Sequence, residues 1–214
     1  YASGDHFTGG ELTVMGNHPD RLGRSRRLAG LLLDRGFGLA AWMPGYLLAV
    51  PAGAVLLRRR PPGWLLLLAP LAAGWATATW IALTMHGWWW PGRQVVVVVP
   101  CLVLAVAWWA AQSARARTLV AATAAFGVFT WTWLVAEVLT HRRTLIVDFE
   151  QTANPLYRAW RAVLPDYRRP SVDDWVLQAV WLTVLAVAVV AALRSTRSRS
   201  PSPQPPRPRE PVPW

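Results

Sequence analysis

Five apolar stretches of about 20 residues, separated by arginine-bearing or polar segments, constrain this chain more than any other feature. A stretch of that length matches the hydrocarbon thickness of a bilayer, whereas a soluble domain disperses its apolar residues at a helical or strand period. Composition agrees, because 54% of the 214 residues are apolar and 15% are charged, well under the roughly 25% charged content of soluble domains. A formal net charge of +11 fits so apolar a chain only if the charges are confined to loops. A soluble enzyme is excluded on this ground. A disulfide scaffold is excluded as well, since Cys101 is the one cysteine.

The stretches are read as membrane spans at about 37–57, 64–85, 95–111, 118–140 and 175–193, which makes the chain an all-α, polytopic transmembrane helix bundle. The first lies between Arg35 and the triplet Arg58, Arg59 and Arg60. Its Pro44 and Pro51 are kinks of the kind a membrane bundle accommodates. The second follows the turn Pro61-Pro62-Gly63, and its Gly74, with Ala72, Ala73, Ala76 and Ala78, lets a neighbouring backbone come close. The third opens on five consecutive valines, with Pro91 to Gln94 at its outer end.

Orientation follows from the short arginine-rich loops, which stay cytoplasmic. Arg58 to Arg60 and the pair Arg115 and Arg117 are therefore inside. That places 1–36 and 141–174 outside a bacterial cytoplasmic membrane and 194–214 inside. The outer segments carry arginines too, but long segments cross largely regardless of charge. Trp64, Trp108 and Trp109 fall at the inner interface, and Trp88, Trp89, Trp90 and Trp175 at the outer one, where amphipathic rings gather.

Three regions stand outside the lipid. Residues 1–36 form a polar loop that ends in an interfacial helix over Arg24 to Asp34, with Leu28, Leu31 and Leu32 at helical spacing. The chain begins in polar sequence at Tyr1 with no apolar leader, so it is read as the C-terminal piece of a longer protein. In 141–174, Asn154-Pro155 supplies a cap and first helical position for an amphipathic helix ending at Pro165-Asp166. Residues 194–214 alternate Ser, Pro and Arg and are predicted to be a disordered cytoplasmic tail attracted to anionic lipids, with no nucleic-acid partner.

Few residues carry candidate chemistry. In His86-Gly87-Trp88-Trp89-Trp90-Pro91-Gly92-Arg93-Gln94, Gly92 frees the backbone and Arg93 sets a fixed cation at the lipid boundary. That cation can hold a phosphate in two parallel hydrogen bonds or simply snorkel to headgroups. Glu137 is the one carboxylate inside a predicted span, and His141 lies four residues later on the same face. The two form either an intramembrane functional pair or an ordinary interfacial ion pair. Asp5, His6, Glu11, His18 and Asp20 match no compact metal motif, so no metal site and no cofactor is assigned, a divalent ion being unsupported. Asp148, Glu150, Asp166, Asp173 and Asp174 are candidate acids or bases, or the charges that keep a loop in water.

Asp34-Arg35-Gly36-Phe37-Gly38-Leu39, a span with Pro44, an arginine-rich turn, a further span and the Gly-Trp-Trp-Trp-Pro-Gly-Arg93 hairpin together resemble the C-terminal half of GT-C-type bacterial membrane glycosyltransferases. The resemblance covers roughly Arg24 to Ala111. It implies transfer of a sugar from a polyprenyl-phosphate carrier on the extracytoplasmic side, by inverting attack of an acceptor hydroxyl. By the same resemblance Arg93 faces the carrier phosphate, with Gly92 and His86 beside it. Two departures stand out: the early outer loop that bears the catalytic carboxylate in such enzymes is absent, and tryptophans with His86 replace the small glycines of many relatives. No catalytic base is assigned, and the fragment alone is expected to be inactive. The alternative is a non-catalytic membrane transporter or assembly subunit in which Glu137 and His141 couple a proton or ion.

Overall fold

The computed structural model describes residues 21–82, 92–142, 151–167 and 170–197. Every regular element among them is helical, as predicted. The first part of the chain forms α1 Arg21–Arg24, α2 Arg27–Leu33, α3 Leu39–Trp42, a 3-10 turn Pro44–Leu48 and α4 Ala49–Arg59. There follow α5 Trp64–Ala76 with a π turn Thr77–Ile81, and a 3-10 turn Arg93–Val98 leading into α6 Val99–Gln112. The last elements are α7 Ala114–Leu139, α8 Pro155–Ala162 and α9 Val172–Arg197.

Four helices are long and apolar enough to cross a membrane: Trp64–Ile81, Arg93–Gln112, Ala114–Leu139 and Val172–Ser195. In three of them only 11% of the most apolar window is buried within the protein. Side chains such as Leu66, Val128, Val187 and Val190 therefore face outward, and lipid is the solvent that accepts so much exposed apolar surface.

The stretch 37–57, predicted as the first span, is not one helix. The ring of Pro44 excludes helical geometry at the preceding residue, and Met43 is extended at φ −136° and ψ 98°. A 3-10 turn then leads into α4, whose Pro51 sits in the first helical turn, where the missing N–H is not needed. The pieces still connect both ends of the bundle. At one end Phe37 and Leu39 share a core with Leu31, Val95, Val98 and Tyr167; at the other Ala52 and Val55 pack with Trp109, Ala116 and Ala192. These are called below the loop end and the turn end. Because α4 packs against α6 and α9 while the 3-10 turn meets α7, the broken segment is the centre of the bundle and the long helices enclose it.

The other predicted spans are recovered with shifted ends. The second leaves helical geometry at Ala82 after the π turn, and 83–85 lie outside the described residues. At Gly74, where a neighbouring backbone is expected to come close, it is the Val98 side chain that does so: a Cβ there would meet its Cγ1 at 2.5 Å. The third starts at Arg93 as a 3-10 turn, with Pro100 early in α6. Ser113 caps α7 by accepting from the Ala116 N–H at 3.3 Å. The predicted tail starts at Arg194, but α9 continues through Arg197; residues beyond lie outside the description. Trp109, predicted at the interface, is instead buried at the turn end.

Candidate functional site

The loop end is organised around Asp34. As α2 ends, Asp34 turns extended, and its carboxylate closes the chain into a tight loop. Oδ1 accepts from the N–H groups of Gly36 at 2.7 Å and Phe37 at 2.9 Å, and Oδ2 accepts from the Tyr167 N–H at 2.7 Å. The side chain thus pins the 165–167 segment to the end of α2. Burial pushes the carboxyl up to about 6, against the three N–H groups, which pull it down. Burial first and the Asp34 charge second push the Tyr167 phenol up to about 12, so it stays protonated. Gly38 is required, because a Cβ there would lie 2.5 Å from the Asp34 nitrogen.

This loop aims Arg35 away from the core. Its N–H donates to the Pro165 carbonyl at 3.0 Å, and its Nη2 to Asp174 Oδ1 at 2.6 Å, with Asp166 Oδ2 at 3.7 Å from Nε. Asp174 is itself fixed by a capping box: its Oδ2 accepts from the Ser171 N–H and hydroxyl, and Ser171 Oγ accepts from the Asp174 N–H at 3.3 Å. Across from Arg35 stands α8, started by Asn154, whose Oδ1 accepts from the N–H groups of Leu156 and Tyr157. Tyr157 and Trp160 face inward, the indole donating to the Ala40 carbonyl at 2.7 Å, which leaves Arg158 exposed and Arg161 half-buried at the edge of that face. Arg161 Nε donates to the Arg35 carbonyl at 3.2 Å.

The result is a cavity of about 510 Å³ lined by Arg35, Arg158, Arg161, Ala162 and Asp166. With Arg35 held by Asp174 and Asp166, Arg158 and Arg161 add two further guanidinium groups to the lining, and their planar donor forks have the geometry to take an oxyanion. The Arg158 guanidinium makes no hydrogen bond or ion pair among the described residues, while its backbone N–H donates to the Asn154 carbonyl at 3.1 Å.

Of the hairpin singled out in the sequence, Gly92, Arg93 and Gln94 fall within the described residues, and Gly92 is tied to the loop that carries Arg35. Gly92 adopts φ +84°, and its N–H donates to the Phe37 carbonyl at 2.8 Å. A Cβ at Gly92 would lie 2.3 Å from Leu39 Cδ2, so a side chain at this position would have both that contact and the positive φ to overcome. Two motifs more than 50 residues apart in sequence are thereby stitched together, with Arg93 exposed next to the seam. His86 lies outside the described residues, as do Asp5, His6, Glu11, His18, Asp20, Asp148 and Glu150.

Glu137 is buried at the end of α7 and holds the 152–153 strap. Its Oε1 accepts from Trp133 Nε1 at 3.0 Å and the Ala153 N–H at 2.8 Å, and its Oε2 from the Thr152 hydroxyl at 2.8 Å. His141 is exposed at φ +55° in the turn that ends α7. This is the geometry of a clasp for the start of α8. Asp166 and Asp174 serve to hold Arg35, and Asp173 is exposed. Among the described residues no three His, Cys, Asp or Glu side chains gather as a metal site would require.

Sequence reasoning singled out Arg93 and missed the trio at the cavity. Arg158 and Arg161 are three apart behind a recognisable cap, which already places both on one helical face. Their meeting with Arg35 depends on the Asp34 to Tyr167 bond, which no local pattern announces. Compared with family models, with curated proteins and with solved structures, the chain matches none.

Proposed function

We propose that the chain is the carrier-binding part of a membrane transferase that moves a sugar from a polyprenyl phosphate at the extracytoplasmic face of a bacterial cytoplasmic membrane. The observation that carries this reading is the arginine cavity at the end of a lipid-facing bundle, on the loop to which Gly92 and Arg93 are tied. A phosphate bonded to an isoprenoid chain partitions to this depth, with its charge at the headgroup level and its chain among the helices.

In the reaction the acceptor hydroxyl oxygen attacks the anomeric carbon, the bond from that carbon to the phosphate oxygen breaks, and the polyprenyl phosphate leaves with the electron pair. The hydroxyl proton passes to a base that is not assigned to the described residues. Arg158 and Arg161 face the charge that grows on the leaving phosphate, and a preformed cation is worth most at that point. Arg35 is a positioning residue, already committed to Asp174 and Asp166.

The test is binding of a polyprenyl phosphate to the purified protein. Each charge-assisted contact is worth about 1.5 to 3 kcal/mol, so Arg158→Ala and Arg161→Ala each weaken binding by about tenfold or more. Arg93→Ala weakens it as well. Arg115→Ala, at the turn end, leaves it unchanged. Equal affinity in all four variants would sink the proposal.

A further inference from the structure

A second cavity lies on the side of the bundle. It is a groove of about 570 Å³ between α2, α4 and α5, with Leu28, Val50, Leu57, Leu71, Trp75 and Trp80 in its walls. Leu57 belongs to the turn end, beside Arg58, whereas Leu28 and Trp80 close the groove at the loop end. The groove therefore follows the length of the membrane-crossing helices, the shape an extended alkyl chain needs. Both indoles in the wall spend their N–H groups on the segment above, Trp75 on the Leu28 carbonyl at 3.0 Å and Trp80 on Ser25 Oγ at 3.2 Å. What remains turned to the groove is chiefly apolar.

Its mouth is different. Arg24 lies four positions before Leu28, and its Nη1 donates to the Trp80 carbonyl, so the guanidinium sits beside one of the two residues that close the groove. Arg24 is only 3% exposed, and its Nε and Nη2 have no hydrogen-bond partner among the described residues. A buried guanidinium in that condition calls for an anion. Arg27, whose Nη1 donates to the Ala82 carbonyl at 2.7 Å two residues beyond Trp80, adds a second positive charge there, which disfavours a headgroup that carries a cation.

We propose that this groove holds one anionic phospholipid of the bilayer, with an acyl chain along Trp75, Leu71 and Val50 towards Leu57 and its phosphodiester on Arg24. An apolar helix from a second copy would cover the same walls but bring no anion to Arg24. A lipid supplies both, at the depth where headgroup phosphates lie. The site is separate from the arginine cavity and does not depend on the carrier reading.

Native mass spectrometry of the full chain in detergent tests it, with phosphatidylglycerol and phosphatidylcholine of identical chains as probes. One phosphatidylglycerol is retained, by at least about tenfold over phosphatidylcholine. Retention falls by at least about tenfold in Arg24→Gln, and by as much in Leu71→Trp, which fills the groove from a lipid-facing helix. Arg24→Lys, which keeps the charge, retains most of the binding, and Arg158→Ala retains all of it. Equal retention of the two lipids overturns the proposal. So does phosphatidylglycerol binding that survives Leu71→Trp, or a dimer that Leu71→Trp dissociates, which would make a second copy the occupant.

Discussion

Two residues at the loop end bear weight out of proportion to their size. Gly92 combines a left-handed backbone with a 2.3 Å approach to Leu39, so Gly92→Ala meets both a conformational and a steric penalty, together about 1 to 3 kcal/mol. Thermal unfolding in detergent checks this, and Leu39→Ala in the same chain recovers only the steric share, because φ stays positive. Asp34 is the other. Its folded value of about 6 lies above the ordinary one, so its contribution to stability is fully present below about pH 4 and is lost as pH rises through about 6. The difference corresponds to about 3 kcal/mol. A carboxylic-acid carbonyl band in the infrared grows in as pH falls through about 6, and Asp34→Asn lacks it; a band that appears only near pH 4 would contradict the buried geometry. Neither role is written locally in the sequence. Gly92 was legible as a flexible point, but the partner that makes it obligatory is Leu39, more than 50 positions away.

At the scale of the element, α8 shows how a short helix is held in place. Eight residues are too few to be stable alone in water, and α8 is secured by three separate fixtures. Asn154 caps it, Tyr157 and Trp160 anchor its inner face, and Glu137 grips the strap before it. Glu137→Ala leaves the Thr152 hydroxyl and the Ala153 N–H without their buried acceptor, a loss of about 2 to 4 kcal/mol. The expected readout is faster trypsin cleavage after Arg158 and Arg161, with Glu137→Gln intermediate because it keeps one acceptor oxygen. Unchanged cleavage in Glu137→Ala would remove the clasp. The cap and the inward face of α8 were readable from Asn154-Pro155 and the spacing of its aromatics. The length of α4 was not. A proline within an apolar run signals either a kink or a break, and here α8 favours the break, because Trp160 supplies a partner to the Ala40 carbonyl that it frees.

For the molecule as a whole, the alternation of ends is the testable quantity. Arg59 bonds Gln112 at the turn end, while Arg35 and Arg158 meet at the opposite one. If the arginine-rich turns stay cytoplasmic, a cysteine placed at Arg158 in a Cys101→Ser background is labelled in intact cells by a membrane-impermeant maleimide, and one at Arg60 is labelled only after lysis. The reverse pattern would put the arginine cavity inside the cell and exclude an extracytoplasmic carrier. The four long apolar helices were the most legible part of the sequence, because bilayer thickness sets the length of such a run.

The broken segment at the centre has a consequence for how the chain is made. Its freed carbonyl at Ala40 is satisfied by Trp160, and the loop after α2 is closed by the N–H of Tyr167, both about 120 or more residues further along. Synthesis runs from the N-terminus, so this segment is made well before the residues that complete it. Until then the Ala40 carbonyl and the loop after α2 lack the partners that close them in the finished chain, and a product that ends before Trp160 lacks both.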